Sequence, residues 1–304
     1  MPSETLTSAQ NPKIKRLLAL QKDSSLRREC GLFVVEGRRE YEHCLASGFV
    51  PDTVFVCPEI YGSAAVSTAA SGELPPETSL RSSLPRKRGP LPLTCPRVDT
   101  VSGGSPAAPS PETAARVFYV SKEVYDKVAY RGGTEGIIAE MKAKDLKLSD
   151  LELPENPLVV VLESVEKPGN LGAVLRSADA AGADALLVCD PLTDIYNPNV
   201  IRASVGAVFT VPTVACRTAD AIPWLQRRGV QILTAQLQDS SLYYDCDMRR
   251  GTALVMGTES TGLSDAWRRA ATAHIRIPML GRLDSLNVSV SASILLFEAV
   301  RQRQ

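Results

Sequence analysis

The chain has 304 residues, and at about 100 to 200 residues per domain that length predicts two domains, each able to bury a core without disulfide staples. Lys plus Arg (34) balances Asp plus Glu (34), which excludes a protein that holds nucleic acid by bulk charge alone while leaving room for a local basic surface. Hydrophobic residues make up 44% of the chain, and no apolar run approaches the roughly 18 residues of a membrane span, so the composition is that of a globular chain with no membrane partner. The start of the sequence lacks an apolar stretch followed by small cleavage-site residues, so the expected compartment is the cytoplasm.

In chain order, residues 11–30 read as a helical stretch in which Ile14, Leu17, Leu18 and Leu20 share a face. Within residues 1–28, Lys13, Lys15, Arg16, Lys22, Arg27 and Arg28 face only Glu4 and Asp23, a local surplus that points to a phosphate-facing surface. Residues 31–37 read as a strand, 38–48 as a helix closed by glycine, and 52–57 as a second strand. The stretch 61–113 then carries nine of the 21 prolines and nine serines, with no aromatic after Tyr61. It lacks the apolar pattern needed to offset its ordering entropy and is expected to be a disordered insertion. Its basic centre, Arg86, Lys87 and Arg88, reads as a solvated charge run. A third strand (116–121), a helix (122–130) and a fourth strand (136–142) complete a compact α/β layer, and the polar 144–157 reads as a linker. The boundaries expected are a first domain over 1–150, carrying the insertion, and a second over 151–304.

The second domain repeats the alternation more strongly. Residues 158–165 form a continuous apolar strand of the kind buried on both faces of a parallel sheet. Helices are expected at 169–182, 197–209, 218–229, 264–272 and 285–303, and strands at 185–190, 210–216, 230–236, 252–257 and 273–279. The fold class is therefore α/β with a parallel sheet covered on both faces, whose ligands bind outside the carboxyl ends of the strands.

The seven cysteines are odd in number, widely spaced and without a C-x-x-C pair, so they read as reduced core thiols. His43 and His274 are the only histidines, and no zinc cage or Cys-His nucleophile pair follows from their positions. His43 adjoins Cys44, but neighbouring side chains on a helix point about 100° apart and rarely chelate one ion. No metal is expected.

Three segments at strand ends hold unusual polar residues. In 163–176, Gly169 and Gly172 let backbone approach a ligand, Asn170 sits where a helix cap belongs, and Arg176 follows six residues on. In 255–264, Gly257 and Gly262 flank Glu259. In 277–293, a helix start supplies exposed N–H groups while Asn287 and Ser289 add side-chain donors. Each alone reads as an ordinary turn or cap. Neither a G-x-G-x-x-G dinucleotide fingerprint nor a P-loop is present.

Together, in this order and spacing, the segments resemble the SpoU (TrmH) branch of the SPOUT superfamily, the S-adenosylmethionine-dependent RNA ribose 2′-O-methyltransferases. N-x-G-x-x-x-R stands as Asn170, Gly172 and Arg176, G-x-E-x-x-G-L as Gly257, Glu259, Gly262 and Leu263, and S-L-N-V-S as residues 285–289, preceded by Ile277, Pro278 and Met279. Ser204, Gly206 and Ala207 match a further S-x-G-A step. Residues 158–304 carry the resemblance densely, and the earlier part is similar to the small substrate-binding domain of ribosomal-RNA members, which resembles a ribosomal-protein fold.

The resemblance implies a deep trefoil knot in the C-terminal segment, a rare exception to un-knotted topology, and a homodimer that buries it. S-adenosylmethionine would lie against Thr234, Ala235, Gln236, Gly257, Glu259, Ile277, Met279, Leu286, Asn287 and Ser289. Asn170, Arg176, Glu259, Asn287 and Ser289 would form the catalytic set, and Lys13, Lys15, Arg16, Arg38, Arg39 and Arg176 would touch RNA. Because a guanidinium keeps its proton at neutral pH, Arg176 is expected to grip phosphate and not to act as base. The substrate implied is large-subunit ribosomal RNA. Transfer to tRNA, and an inactive RNA-binding or assembly protein of the same fold, are the alternatives.

Overall fold

The computed structural model of the chain describes residues 5–62, 115–130, 135–258 and 261–304. All but the first two residues of the expected insertion at 61–113 lie outside the described residues, with Cys95 and the Arg86 to Arg88 run, and so do Glu259 and Ser260.

Alternation of apolar side chains builds the N-terminal sheet. Its strands are β1 (Thr5–Leu6), β2 (Leu32–Glu36), β3 (Pro51–Val56), β4 (Arg116–Val120) and β5 (Ile137–Lys142), in the order β1-β4-β3-β5-β2. Pairing is parallel for β1 with β4 and for β4 with β3, and antiparallel for β3 with β5 and for β5 with β2. Val34, Phe55 and Ile138 face one core, covered by α1 (Pro12–Lys22), α2 (Ser24–Cys30) and, past α3 (Arg38–Ala46) and α4 (Pro58–Tyr61) in the chain, by α5 (Lys122–Val128). Phe33, Val35, Val54 and Val56 face the opposite core with Tyr41 and Cys44 of α3. The single helical stretch expected over 11–30 is two helices. Asp23 leaves the helical region (φ −103°, ψ 110°), and its Oδ1 accepts the N–H groups of Ser25 and Leu26, capping α2.

The C-terminal sheet has seven strands: β6 (Leu158–Glu163), β7 (Ala185–Cys189), β8 (Thr213–Cys216), β9 (Gln231–Ala235), β10 (Ser241–Leu242), β11 (Thr252–Met256) and β12 (Ala273–Arg276). They run in the order β10-β12-β9-β11-β6-β7-β8, and each neighbouring pair is parallel. Leu158, Val160 and Leu162 of β6 face the core under α6 (Pro168–Ala181) and, past the four helices that follow it, the C-terminal Val288–Gln302 helix. Val159 and Val161 face the other core, where Trp224, Leu225 and Trp267 pack. The helix expected over 197–209 is broken into α7 (Pro198–Ser204) and α8 (Ala207–Thr210), because Val205 (φ 54°) and Gly206 (φ 84°) turn left-handed. A side chain at Gly206 would stand 2.9 Å from Nδ1 of His43, so glycine there lets α3 and α8 approach. The remaining helices are α9 (Thr218–Arg227), α10 (Asp265–Ala270) and α11 (Val288–Gln302). The strands expected at 210–216 and 273–279 shorten to β8 and β12, and β10 arises where no strand was expected. The linker is no free tether, since Leu146, Leu148, Leu151 and Leu153 pack against the core of β6, β7 and β11.

The two sheets share one core. Tyr196 stacks on Phe33 with ring centroids 4.4 Å apart, and Phe209 and Phe49 close the cluster. Beside it, the buried Arg27 donates Nε to Asp194 at 2.6 Å and Nη1 to the carbonyl of Leu20 at 2.7 Å, so it joins the parts and satisfies the end of α1. Asp194→Ala would leave this guanidinium buried without its charge partner. The expected loss is about 3 kcal/mol of unfolding free energy, read as a lower urea midpoint.

Candidate active site

The carboxyl ends of β6, β9, β11 and β12 lie side by side, and the segments leaving them carry the polar motifs. After β11 the backbone folds back on itself: Thr258 N–H donates to the Gly262 carbonyl at 3.3 Å and Gly262 N–H to the Thr258 carbonyl at 3.1 Å. A side chain at Gly257 would overlap Gly262 and stand 2.6 Å from the Leu263 nitrogen, while Gly262 itself needs φ 68°. Both motif glycines are thus required by the path of the loop.

After β12, the segment 276–284 borders a cavity of about 350 Å³ lined by Ile277, Met279, Arg276, Leu237 and Arg282 among others. The chain then reaches Asn287, which caps α11. Its Oδ1 accepts from Ser289 N–H at 3.0 Å and Ser289 Oγ at 2.6 Å, while its Nδ2 donates to Asn170 Oδ1 at 3.1 Å. Residues 117 positions apart are so brought into one hydrogen-bonded group at a helix N-terminus. About two turns further along, Ser177 Oγ and Ser293 Oγ lie 2.8 Å apart and tie α6 to α11. Arg176, next to Ser177, is exposed, and its guanidinium has no partner among the described residues.

Several expected site residues have other tasks. Gly172 is buried, and a side chain there would stand 2.5 Å from Ala203 Cβ and 2.9 Å from the Val200 carbonyl, so it serves the packing of α6 on α7 and not the approach of a ligand. Gly169 faces open space. Thr234 is fully buried and its hydroxyl pairs with Nδ1 of His274 at 2.6 Å, which leaves only its backbone for a ligand. Ala235 and Gln236 are half-buried at the end of β9. The amide of Gln236 donates to the Gln238 carbonyl at 2.9 Å, and its buried Oε1 has no partner among the described residues. Leu286 is exposed at the entrance to α11. Glu259 lies outside the described residues.

The six residues expected to touch RNA do not share a surface. Lys13, Lys15 and Arg16 ride on α1, over one face of the N-terminal sheet, and Arg38 and Arg39 on α3, over the other. Arg16 is paired with the buried Glu140 at 3.3 Å and with Asp52 at 3.6 Å, Lys13 lies over the Phe118 ring, and Arg38 pairs with Glu42 at 2.7 Å. Lys15 and Arg39 are exposed. Arg27, counted in the basic surplus, is buried at the joint. Cys30 is exposed at the end of α2 and not a core thiol, whereas Cys44, Cys57 and Cys189 are buried.

Comparison with known proteins identifies the family. Residues 157–297 match the SpoU rRNA Methylase family and residues 11–78 the MRM3-like substrate binding domain. The 23S rRNA (guanosine-2′-O-)-methyltransferase RlmB of Vibrio vulnificus is 37% identical over 190 residues, 60% of this chain and 77% of that protein. The chain belongs to the SpoU methylase family. A 23S rRNA (uridine(2479)-2′-O)-methyltransferase of Streptomyces viridochromogenes is 36% identical over 172 residues, although the chain spans only 59% of that protein's length. Among solved structures, an RNA 2′-O ribose methyltransferase superposes over 99% of both chains with TM-score 0.74 and 33% identity. An S-adenosylmethionine-bound rRNA methyltransferase from Sinorhizobium meliloti does so over 98% of both, with TM-score 0.79 and 27% identity.

Motif reading of this SpoU-family chain passed over residues that act through distant partners. Glu163 carries no mark beyond opening the first polar segment, yet it is buried and bonded to both α9 and the loop after β11. Arg27 looked like one more surface cation. Only the acidic partner of Arg27, in a loop 167 residues away, distinguishes it.

Burial pushes the Glu140 carboxyl from its ordinary range up to about 7, with Arg16 opposing the shift. The folded protein therefore holds this proton to higher pH than the unfolded chain, and stability from this group falls as pH rises from about 4.5 to about 7. Glu140→Gln does not titrate. Its stability relative to wild type is expected to improve by about 2 kcal/mol between pH 5 and pH 8, measured by urea unfolding at both pH values.

Proposed function

We propose that the protein transfers a methyl group from S-adenosylmethionine to a ribose 2′-hydroxyl of large-subunit ribosomal RNA. The observation that carries this reading is the hydrogen-bonded group of Asn170, Asn287 and Ser289, set beside the closed Gly257 loop and the cavity under Ile277 and Met279. The relatives' names supply the substrate class: 23S rRNA is the substrate of both curated proteins.

The residues present fit the cofactor. Gln236 offers a buried acceptor with no partner among the described residues, the loop at Gly257 has no room for any side chain, and Ile277, Met279 and Leu286 offer apolar surface. When bound, S-adenosylmethionine supplies a sulfonium methyl that is already an activated electrophile, so what the protein must add is alignment and help in removing the hydroxyl proton. Asn287 has its amide oriented by Ser289 on one side and Asn170 on the other, which fixes the polar groups at the start of α11. Glu259 completes this set in the reading. Arg176, exposed on α6 and without a partner among the described residues, grips a phosphate beside the target ribose through its planar fork.

In this reading residues 1–150 hold RNA and residues 151–304 carry the chemistry. Exposed cations available for RNA contact include Lys15 on α1 and Arg39 on α3, on opposite faces of the N-terminal sheet. A second copy of the chain covers Val290 and Phe297, which lie seven positions apart on α11 and are 46% and 49% exposed. The site of action is the cytoplasm. Among the described residues no helix is long and apolar enough to cross a membrane.

Gly257→Ala is expected to weaken S-adenosylmethionine binding at least about tenfold, because the new methyl displaces the 262–263 backbone; calorimetry reads it. Arg176→Ala is expected to cut methyl transfer to an unmodified 23S rRNA transcript by at least about 100-fold while leaving cofactor affinity near wild type. Transfer is scored as nuclease-resistant 2′-O-methylated dinucleotides. Their absence with the wild-type protein, or near-normal turnover by the mutant, would contradict the reading.

A further inference from the structure

We infer that Glu163 is a positioning residue for the cofactor loop, a role that rests on the methyltransferase reading of the site. Glu163 ends β6 and points to the face where Val159 and Val161 pack, under α9 and α10. Its side chain is 7% exposed. One carboxylate oxygen, Oε2, accepts the Ser264 N–H at 2.8 Å, and the other, Oε1, accepts the Thr218 hydroxyl at 3.3 Å. The Thr218 oxygen in turn accepts Nε1–H of the fully buried Trp267 at 3.2 Å. Three separate elements therefore end on one buried carboxylate: the loop after β11 through Ser264, α9 through Thr218, and α10 through Trp267.

The consequence lies in the loop. Its first end is set by β11, which pairs with β6 as far as Met256 and Leu162. Its second end, at Ser264, has no strand partner among the described residues, and its N–H is held by Glu163. Between these two anchors the chain passes Gly257, Thr258 and Gly262, whose close backbone return forms the wall that admits no side chain. A shift of the Ser264 end moves that wall relative to Asn287 and the cavity under Ile277. Misplacement of about 1 Å is enough to cost one to two orders of magnitude in a preorganised site. The carboxylate is suited to this task because it accepts from two donors at once and donates to neither.

Three variants of the full chain test the assignment, each read by calorimetry with S-adenosylmethionine and by hydrogen exchange at the Ser264 amide. Glu163→Ala removes both acceptors, and the expected result is at least tenfold weaker cofactor binding and at least tenfold faster Ser264 exchange. Glu163→Gln keeps one carbonyl oxygen for Ser264 and is expected to restore affinity to within about threefold of wild type. Thr218→Val removes the hydroxyl that donates to Glu163 and accepts from Trp267 while leaving the Ser264 bond in place, and is expected to weaken binding about threefold. Cofactor affinity unchanged in folded Glu163→Ala overturns the role, and so does a glutamine variant as impaired as the alanine one. If Glu163→Ala does not fold, Thr218→Val decides: unchanged cofactor affinity with unchanged Ser264 exchange overturns the role, and weaker binding with faster Ser264 exchange supports it. A wild-type protein that binds no S-adenosylmethionine defeats the methyltransferase reading instead, and the exchange rates still report whether Glu163 holds Ser264.

Discussion

Insertion of β11 between β6 and β9 is the constraint on which the site depends. Strands β6, β9, β11 and β12 enter the sheet at widely separated points of the chain, yet parallel pairing aligns their carboxyl ends. Every loop that leaves those ends must then share one small volume. The buried sheet resists sliding, because each shift by one residue would turn apolar side chains such as Val159 and Val161 from one core to the other. Loops anchored this way can carry polar groups at fixed separations, as the bond between Asn287 and Asn170 shows.

The N-terminal sheet is attached to that frame through chemistry of a different kind. A stacked aromatic cluster around Phe33 and Tyr196 supplies apolar contact, and the Arg27 to Asp194 pair supplies direction. Breaking either half of a buried ion pair leaves an uncompensated charge, so the joint tolerates little relative movement. This attachment also redistributes charge. With Arg27 buried and Arg16 bound to Glu140 and Asp52, the apparent basic surplus at the start of the chain is smaller on the surface than in the sequence. The zero net charge thus includes one cation, Arg27, that is buried and others, such as Arg16, already paired with carboxylates.

Much of the architecture is legible in the linear pattern. The apolar run at 158–163 reads as a strand buried on both faces and is one, and Gly182 closes α6 in the left-handed conformation as its position after an alanine-rich helix foretells. The glycines at 257 and 262 are legible as loop makers because their backbone requirement is local. Breaks inside helices were harder to read. Asp23 interrupts a favourable helical stretch by capping a second helix, and Val205 adopts φ 54° although nothing in its own side chain favours that conformation. The motif at 170–176 is instructive in the other direction. Asn170 does meet Asn287, while Gly172 proves to be there for α7, because a spacing pattern shows that a small residue is required without showing which neighbour requires it.

What the sequence by itself determined is the alternation of strands and helices, the parallel α/β class and the three segments that carry polar chemistry, all of which follow from periodicities and turn residues within a few positions of one another. Only the tertiary structure decided which cations remain available to RNA, that Thr234 is spent on His274, and that Glu163 holds the loop after β11. The physical reason is range. A residue's secondary-structure preference is set by its near neighbours, whereas the fate of a buried charge or a small side chain is set by a partner tens to more than a hundred residues away, such as Ser264 for Glu163 or Asp194 for Arg27.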